Sequence, residues 1–375
     1  MSAPALIAVY PPAALGPASR RAAPAFPFDE PALTFTHLGR GAVWLALKAL
    51  GLGPGSRIAM PAYHCGSEVD AAHVAGCEID FYRVDAGLHV DADDLARAAA
   101  RCDAVYLVSH FGFPMAEPPP GAAILIEDAA HALFSLDAAG RPIGSRGAAT
   151  IFCPRKSLGV PDGGALRLAD RAPAANPEGR MSARAAARSY ASLAVNRAAM
   201  ARLGLLRGGA ARLLGRASKG DAAARAGTLT ETVIGEWGLE PADLDAAAAR
   251  PAPLTPWLAR RADAGEVRAR RREHYAALLD AFGELVPESC RVLPEGCAPL
   301  YLPVRVSDRE AAMVRLLDGG VRALEVWPVP HPRLDRDRFS ELEPLRAGLL
   351  ALPVHQTMRP WHVERVIAAG RRALR

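Results

Sequence analysis

The chain has 375 residues, of which 50% are hydrophobic and 23% charged, and its formal net charge at pH 7 is +5. This composition is typical of a globular protein rather than a disordered or fibrous one, and the length favours two domains. The positive charge is modest and dispersed, without zinc-finger spacing or aromatic residues among the basic ones, which argues against nucleic acid as a partner.

Six cysteines, at positions 65, 77, 102, 153, 290 and 297, match no metal-binding spacing. A chain of this length does not need disulfides, so we expect reduced thiols, most of them buried. The N-terminus is weakly apolar, lacks an early basic region and contains prolines, unlike a signal peptide. No stretch approaches the roughly 20 apolar residues that span a bilayer. These features predict a cytoplasmic protein without a metal site.

The first 50 residues divide into an arm and a helix. Residues 1–35 are rich in proline and alanine without periodicity and are predicted to form an extended arm, which could lie on a partner subunit. Apolar residues at helical spacing then predict a helix over 38–50, which Gly51 ends. Gly39 and Gly41 open this helix. Backbone N–H groups left uncovered at its positive end would suit a phosphate group.

Strand and helix patterns alternate over the next 120 residues. The predicted strands are 57–60, 78–84, 104–109, 122–127, 148–153 and 164–168, and the predicted helices are 67–75 and 91–100, capped by Ser67 and Asp91. Strands joined by short helices predict an α/β domain, over residues 36–250, with a mostly parallel, doubly wound sheet. Ligands of such sheets bind at the carboxyl ends of the strands.

Two further segments differ from the sheet domain in their sequence patterns. Residues 180–226 contain nine arginines, eight of them recurring at helical spacing over 180–216, and one acid, which predicts a solvated helical insertion or a dimer contact. The alternative is contact with anionic lipid at a membrane surface or with a phosphorylated partner. Residues 251–375 predict a smaller α+β domain, with helices over 266–282, 309–317 and 361–374 and strands over 300–306 and 350–354.

Lysine is rare in this chain, which makes each lysine informative. Of 45 basic residues only Lys48, Lys156 and Lys219 are lysines. Unlike arginine, lysine can lose its proton when desolvated and become a nucleophilic amine. Lys156 follows the predicted strand 148–153, and Asp128 follows the strand 122–127. The alternatives without a cofactor are that Lys156 is a surface lysine and that Asp128 caps the next turn.

Together with the glycine turn at 39–41, Lys156 and Asp128 form a recognisable chemical set. Pyridoxal 5'-phosphate needs a phosphate cradle, an amine that holds its aldehyde as a Schiff base, and a carboxylate that keeps its ring nitrogen protonated. The sequence supplies one candidate for each, at strand ends or a helix start that should meet at one edge of the sheet.

Several motifs, in the same order and spacing, resemble the DegT-type sugar aminotransferases, a family of fold-type-I pyridoxal phosphate enzymes. The most specific is Glu-Asp-Ala-Ala-His at 127–131, followed 28 positions after Asp128 by Lys156. The others are Gly-Arg-Gly-Ala-Val-Trp-Leu-Ala-Leu at 39–47, Met-Pro-Ala-Tyr-His-Cys at 60–65, His-Phe-Gly-Phe-Pro at 110–114, Asp-Gly-Gly at 162–164 and Ala-Leu-Pro-Val-His at 351–355. The resemblance covers about 35–170 well and 250 onward more weakly.

The resemblance implies a role for each matching residue. Lys156 would bond to the cofactor and move the substrate proton, Asp128 would pair with the ring nitrogen, and His131 would lie near the ring. The Gly39, Arg40 and Gly41 turn would take the phosphate. One residue of Tyr63, His64 and Cys65 would cover the ring face; alignment favours Cys65, and chemistry favours Tyr63 or His64.

Two departures concern the phosphate site. The family usually places a serine five residues before the lysine, where this chain has Ile151; Thr150 or Cys153 are the candidate substitutes. The stretch that supplies an asparagine to the neighbouring subunit's cofactor is also not recognisable, and its place is near 253–257.

The expected function is an aminotransferase that moves an amino group, from glutamate as donor, to a keto acceptor such as a nucleotide-linked sugar in polysaccharide biosynthesis. The resemblance further implies a homodimer. Two alternatives stay open at this point. One is another pyridoxal phosphate reaction on an amino acid, and the other is a non-catalytic homologue with a binding or regulatory role.

Overall fold

The structure is a computed structural model that describes residues 6–12, 23–114, 116–121, 124–169, 176–200 and 238–374. The part of the arginine-rich segment at 201–226 lies outside the described residues, as does Lys219. Within the described ranges, the chain forms a large unit around a seven-stranded sheet and a smaller unit around a three-stranded one.

The large sheet is mostly parallel, as predicted. Its strands are β1 (Thr34–Thr36), β2 (Arg57–Pro61), β3 (Glu78–Tyr82), β4 (Ala104–Val108), β5 (Ile124–Asp128), β6 (Ala149–Phe152) and β7 (Gly164–Leu168), in the order β1-β7-β6-β5-β4-β2-β3. The pairs from β3 to β6 run parallel, whereas β7 is antiparallel to both β6 and β1. The apolar runs are buried because helices cover the sheet, as parallel sheets require.

Seven helices accompany this sheet in the described part of the chain. They are α1 (Gly39–Ala49), α2 (Ser67–Val74), α3 (Ala92–Ala99), α4 (Pro154–Ser157), α5 (Ala183–Met200), α6 (Pro241–Ala248) and α7 (Leu254–Ala259), with a 3-10 turn at His110–Gly112. Asp91 caps α3 as predicted, since its side chain accepts from the N–H of Asp94. The predicted cap of α2 is wrong, because Gly66 in a left-handed conformation occupies that position and Ser67 is already helical.

The smaller unit follows from α8 (Ala264–Phe282) onward. Its antiparallel sheet has the order β8-β10-β9, with β8 (Tyr301–Arg305), β9 (Leu324–Glu325) and β10 (Leu349–Pro353). Its other helices are α9 (Arg309–Asp318), α10 (Glu343–Gly348) and α11 (Pro360–Ala373), with 3-10 turns at Gly283–Leu285, Glu288–Cys290 and Ser340–Leu342. The predicted helices and strands of this region are all present within two residues of their expected ends.

Part of the predicted N-terminal arm, at 1–5 and 13–22, lies outside the described residues. Residues 6–9 are buried against the chain's own smaller unit, since Ile7 pairs with the backbone of Gly320 and Arg322. The end of the predicted arm forms β1 on the edge of the large sheet. The sequence analysis did not predict β1, because a three-residue strand gives too short a pattern to detect.

The two glycines of α1 meet different surroundings. A Cβ on Gly39 would reach only ordinary contact distance from Cys153, whereas a Cβ on Gly41 would lie 2.2 Å from the carbonyl oxygen of Ala247 in α6. Gly41 is thus required for the close approach of α1 and α6.

We expect Gly41→Ala to lower the free energy of unfolding by about 1–3 kcal/mol, because the added methyl group overpacks the contact between α1 and α6. Gly39→Ala is the matched control and should change stability far less. Urea denaturation of both variants measures this, and equal losses would contradict the packing role of Gly41.

Candidate active site

A cavity of about 360 Å³ opens at the carboxyl ends of β4, β5 and β6. That volume is in the range of small-molecule sites. Its lining residues are Leu38, Gly39, Arg40, Val43, Cys65, Ser67, Glu68, Val108, Asp128, Ala130, His131, Ile151, Cys153, Arg155, Lys156 and Trp327. The topology explains this convergence, because the parallel strands β4, β5 and β6 end at the same edge of the sheet.

Asp128, the last residue of β5, is held in a fixed orientation. Its Oδ2 accepts a hydrogen bond of 2.8 Å from the hydroxyl of Tyr106, and its Oδ1 accepts one of 2.8 Å from the N–H of Ala130. Burial raises the pKa of Asp128, while the nearby charge of Lys156 and these two donors act in the opposite direction. The carboxylate is therefore oriented and available to a cationic group in the cavity.

Lys156 lies in the one-turn helix α4, just after β6. Its Nζ is 3.0 Å from Nε2 of His131. Burial lowers the pKa of Lys156, but the neighbouring acidic groups, led by Cys153 and Cys65, outweigh burial, and the net shift is upward. Without a bound aldehyde, this lysine is an ammonium ion that donates to His131.

His131 can serve both protonation states of this lysine. Burial and the lysine charge hold its pKa well below the ordinary value, so the imidazole is neutral. Nε2 accepts from an ammonium while the ring proton is on Nδ1, and this tautomer leaves the N–H of Phe111 without Nδ1 as its acceptor. When the lysine is a neutral amine, Nδ1 can instead accept from the N–H of Phe111, 3.3 Å away, and Nε2 then donates. The imidazole thus allows the lysine to lose its proton without losing a hydrogen-bond partner.

The structure separates the three candidates for covering a bound ring. Only Cys65 is among the residues that line the cavity. Tyr63 is fully buried and donates to the carbonyl of Val326, and His64 is fully buried between the carbonyl of Pro61 and the N–H of His331. Neither Tyr63 nor His64 has a cavity-facing position.

Trp327, which the sequence analysis missed, brings an aromatic ring into the cavity from the smaller unit. Its ring stacks on His131 at 5.5 Å between centroids and on Phe111 at 6.2 Å. Trp327 and Phe111 both have positive φ, at 49° and 56°, a conformation that bulky residues rarely adopt. No local sequence signal could have identified Trp327, because its contribution depends on how the two units pack.

Glu68 is a second missed residue. It is 4% exposed, lines the cavity, and accepts a 3.0 Å hydrogen bond from the N–H of Cys65. Burial, and then the charge of Asp128, raises the pKa of Glu68 to about 7. An acidic residue just past the end of β2 was the available sequence signal.

The predicted phosphate-binding turn is only partly in the cavity. Gly39 and Arg40 line it, whereas the N–H of Gly41 donates to the carbonyl of Leu38. The Nε of Arg40 is buried without a hydrogen-bond partner in the described part of the chain, so it is a donor in need of an acceptor. Arg40 also lines a neighbouring cavity, together with His37 and Arg180.

The candidate substitutes for the missing serine differ in position. Thr150 is buried and donates to the carbonyl of Gly144, so its hydroxyl is already used. Cys153 lines the cavity, with its Sγ 3.4 Å from the carbonyl of Gly163. Ile151 presents an apolar side chain to the cavity. Near 253–257, where the family's asparagine would be expected, the Thr255 hydroxyl donates a hydrogen bond to Asp162 of its own chain.

Comparisons with known proteins agree with this geometry. Residues 32–178 match the model of the DegT/DnrJ/EryC1/StrS aminotransferase family, a span that contains every predicted site residue. A comparison with curated protein sequences gave no match.

Several solved structures share the fold over nearly the whole chain. The sugar aminotransferase CalS13 from Micromonospora echinospora is 17% identical, with a TM-score of 0.57 and coverage of 90% of this chain and 86% of that one. The PLP form of Spr1654, a putative sugar aminotransferase from Streptococcus pneumoniae, is 14% identical, with a TM-score of 0.59 and coverage of 94% and 93%. DesI, solved in the presence of its TDP-sugar product, is 22% identical, with a TM-score of 0.53 and coverage of 90% and 79%.

Proposed function

We propose that this protein is an aminotransferase that depends on pyridoxal 5'-phosphate and moves an amino group between a donor, such as glutamate, and a keto group of a nucleotide-linked sugar. The observation that carries the proposal is the meeting of Lys156, His131 and Asp128 in one cavity at the carboxyl edge of the sheet. The family match over 32–178 and the sugar aminotransferases among the structural neighbours support it.

The residues present fit the cofactor. The cavity has an oriented carboxylate at Asp128, an amine at Lys156 and, in Arg40, a buried donor that lacks an acceptor. These groups suit the ring nitrogen, the aldehyde and the phosphate respectively. Pyridoxal 5'-phosphate, when bound, supplies an aldehyde that bonds to amines and a ring that accepts electrons from the substrate carbon.

The chain's own residues then have distinct tasks. Asp128 would hold a proton at the ring nitrogen, with Tyr106 keeping the carboxylate oriented. Lys156 Nζ would take a proton from the substrate carbon and return it at a neighbouring carbon, while His131, by its choice of tautomer, keeps a hydrogen bond to Nζ in either protonation state of the lysine. The apolar side chains of Ile151 and Trp327 line this end of the cavity.

The second cavity supports an anionic acceptor. Arg40 and Leu38 line both cavities, and the second one also contains Arg180, His37, which pairs with Asp162, and one acid, Asp243. Arginines suit phosphate groups because of their planar, multidentate donors. A sugar diphosphate nucleotide could therefore extend from the cofactor cavity into this neighbouring space.

Localisation and assembly belong to the same proposal. No helix in the described ranges is long and apolar enough to cross a membrane. All six cysteines are unpaired, which supports a reducing compartment such as the cytoplasm. A homodimer is proposed from the family resemblance, and light scattering of the purified protein tests it.

The half-reaction with glutamate tests the reaction class. Purified protein loaded with pyridoxal 5'-phosphate should show the absorption of the bound cofactor, and excess glutamate should convert it to the pyridoxamine form with stoichiometric release of 2-oxoglutarate. Loss of carbon dioxide or of a substrate substituent would instead favour another pyridoxal phosphate reaction. A protein that binds no added cofactor would be the non-catalytic homologue.

A further inference from the structure

Glu68 is a buried acid that the proposed reaction does not use. Its carboxylate lies in the cofactor cavity with Asp128, so two carboxyl groups occupy one enclosed site. Two like charges in a common buried site resist simultaneous ionisation. One of the pair should therefore keep a proton under conditions where exposed carboxyl groups have lost theirs.

Burial determines which member keeps it. Both carboxylates accept hydrogen bonds, Asp128 from Tyr106 and Ala130, and Glu68 from the N–H of Cys65, its own N–H and, at 3.4 Å, the hydroxyl of Ser67. Glu68 is 4% exposed, whereas Asp128 is only partly buried. Desolvation therefore acts more strongly on Glu68, which is the member that retains the proton.

The charged surroundings of Glu68 come from several elements. The titratable groups that interact electrostatically with Glu68 include Cys65, Tyr106, Asp128, Lys156 and Arg346. The two cations are already engaged, because Lys156 bonds to His131 and the terminal nitrogens of Arg346 donate to the carbonyls of Trp327 and Ala62. These cations moderate the repulsion between the carboxyl groups, but neither forms an ion pair with Glu68.

We propose that Glu68 is a second acid–base group of this site, which keeps its proton into the near-neutral range so that the pair with Asp128 carries less than its full negative charge beside a protonated ring nitrogen. The role in cofactor binding rests on the proposed function. The prediction that Glu68 retains a proton does not rest on the proposed function, because it follows from the residues of the chain alone. Glu68 would then exchange a proton when ligand charge enters the cavity.

The pH dependence of unfolding tests the retained proton without any cofactor. A carboxyl group that keeps its proton in the folded state contributes stability below its unfolded pKa, and this contribution is lost as pH rises through the folded pKa. We expect the wild type to lose stability relative to Glu68→Gln between about pH 4.5 and about pH 7, above which the difference should level off. The glutamine keeps an acceptor for the N–H of Cys65 but cannot ionise.

Glu127→Gln is the matched control. Glu127 is also buried and accepts backbone N–H groups, from Arg146 and Gly147, but it does not line the cavity. The difference in stability between Glu127→Gln and the wild type should not change with pH in the way expected for Glu68→Gln. A stability difference between wild type and Glu68→Gln that stays constant with pH would overturn the proposal. If Glu68→Gln does not fold, infrared spectra of the wild type decide, because a protonated carboxyl band must persist to near-neutral pH.

Proton exchange on cofactor binding tests whether Glu68 exchanges a proton when ligand charge enters the cavity. Titration calorimetry of pyridoxal 5'-phosphate at pH 7 in two buffers of different ionisation enthalpy counts the protons exchanged. The count should differ between the wild type and Glu68→Gln by up to one proton, and equal counts would overturn the coupling. If the wild type bound no cofactor, the proposed function and the coupling would both fail, while the unfolding data would still decide the retained proton.

Discussion

Replacing Lys156 with alanine is expected to abolish the bound-cofactor absorption band and to lower amino transfer by on the order of 10⁴-fold or more, because the reaction loses its covalent amine and its proton carrier together. The fold should survive the change. Lys156 is partly buried and bonds to His131, so its removal takes away a charged group rather than an apolar contact. Absorption spectra and single-turnover assays with glutamate measure the effect.

Two further lysine variants make this result specific. Lys156→Arg keeps the positive charge but lacks an amine that can deprotonate, so it should be as inactive as the alanine variant. Lys48→Ala should behave as the wild type, since Lys48 is exposed and pairs with Asp245 at 2.9 Å. Retained activity in Lys156→Arg would show that position 156 acts only through its charge.

Asp128→Asn is expected to leave the cofactor bound but to lower the rate by about 10²–10⁴-fold, because an uncharged amide cannot keep the ring nitrogen protonated. The amide oxygen can keep the bond from the N–H of Ala130, and the amide NH2 can donate to the Tyr106 hydroxyl, which accepts as well as donates, so the geometry should be retained. The loss should therefore appear in kcat more than in the affinity for the cofactor, and steady-state kinetics with a binding titration separates the two.

Tyr106→Phe distinguishes orientation from charge at the same position. It removes one donor to Asp128 but keeps the carboxylate, so a much smaller loss than that of Asp128→Asn is expected. If both variants lost activity equally, the orientation of the carboxylate rather than its charge would be the controlling factor.

Local patterns in the sequence determined the strands and helices around the site. Apolar, β-branched runs predicted β4, β5 and β6, and these strands end beside the residues that matter, at Asp128 and before Lys156. The rarity of lysine singled out position 156. These signals are local, because strand periodicity and residue chemistry depend only on near neighbours in the chain.

The tertiary structure alone decided which side chains face the cavity. It buried Tyr63 and His64 away from it and left Cys65 in its wall, although the three are consecutive. It also added Trp327 and Glu68, the first from a distant part of the chain and the second from the first turn of α2. The physical reason is that orientation and burial depend on packing between elements far apart in sequence, and the ionisation of Asp128 and Glu68 in turn depends on that burial.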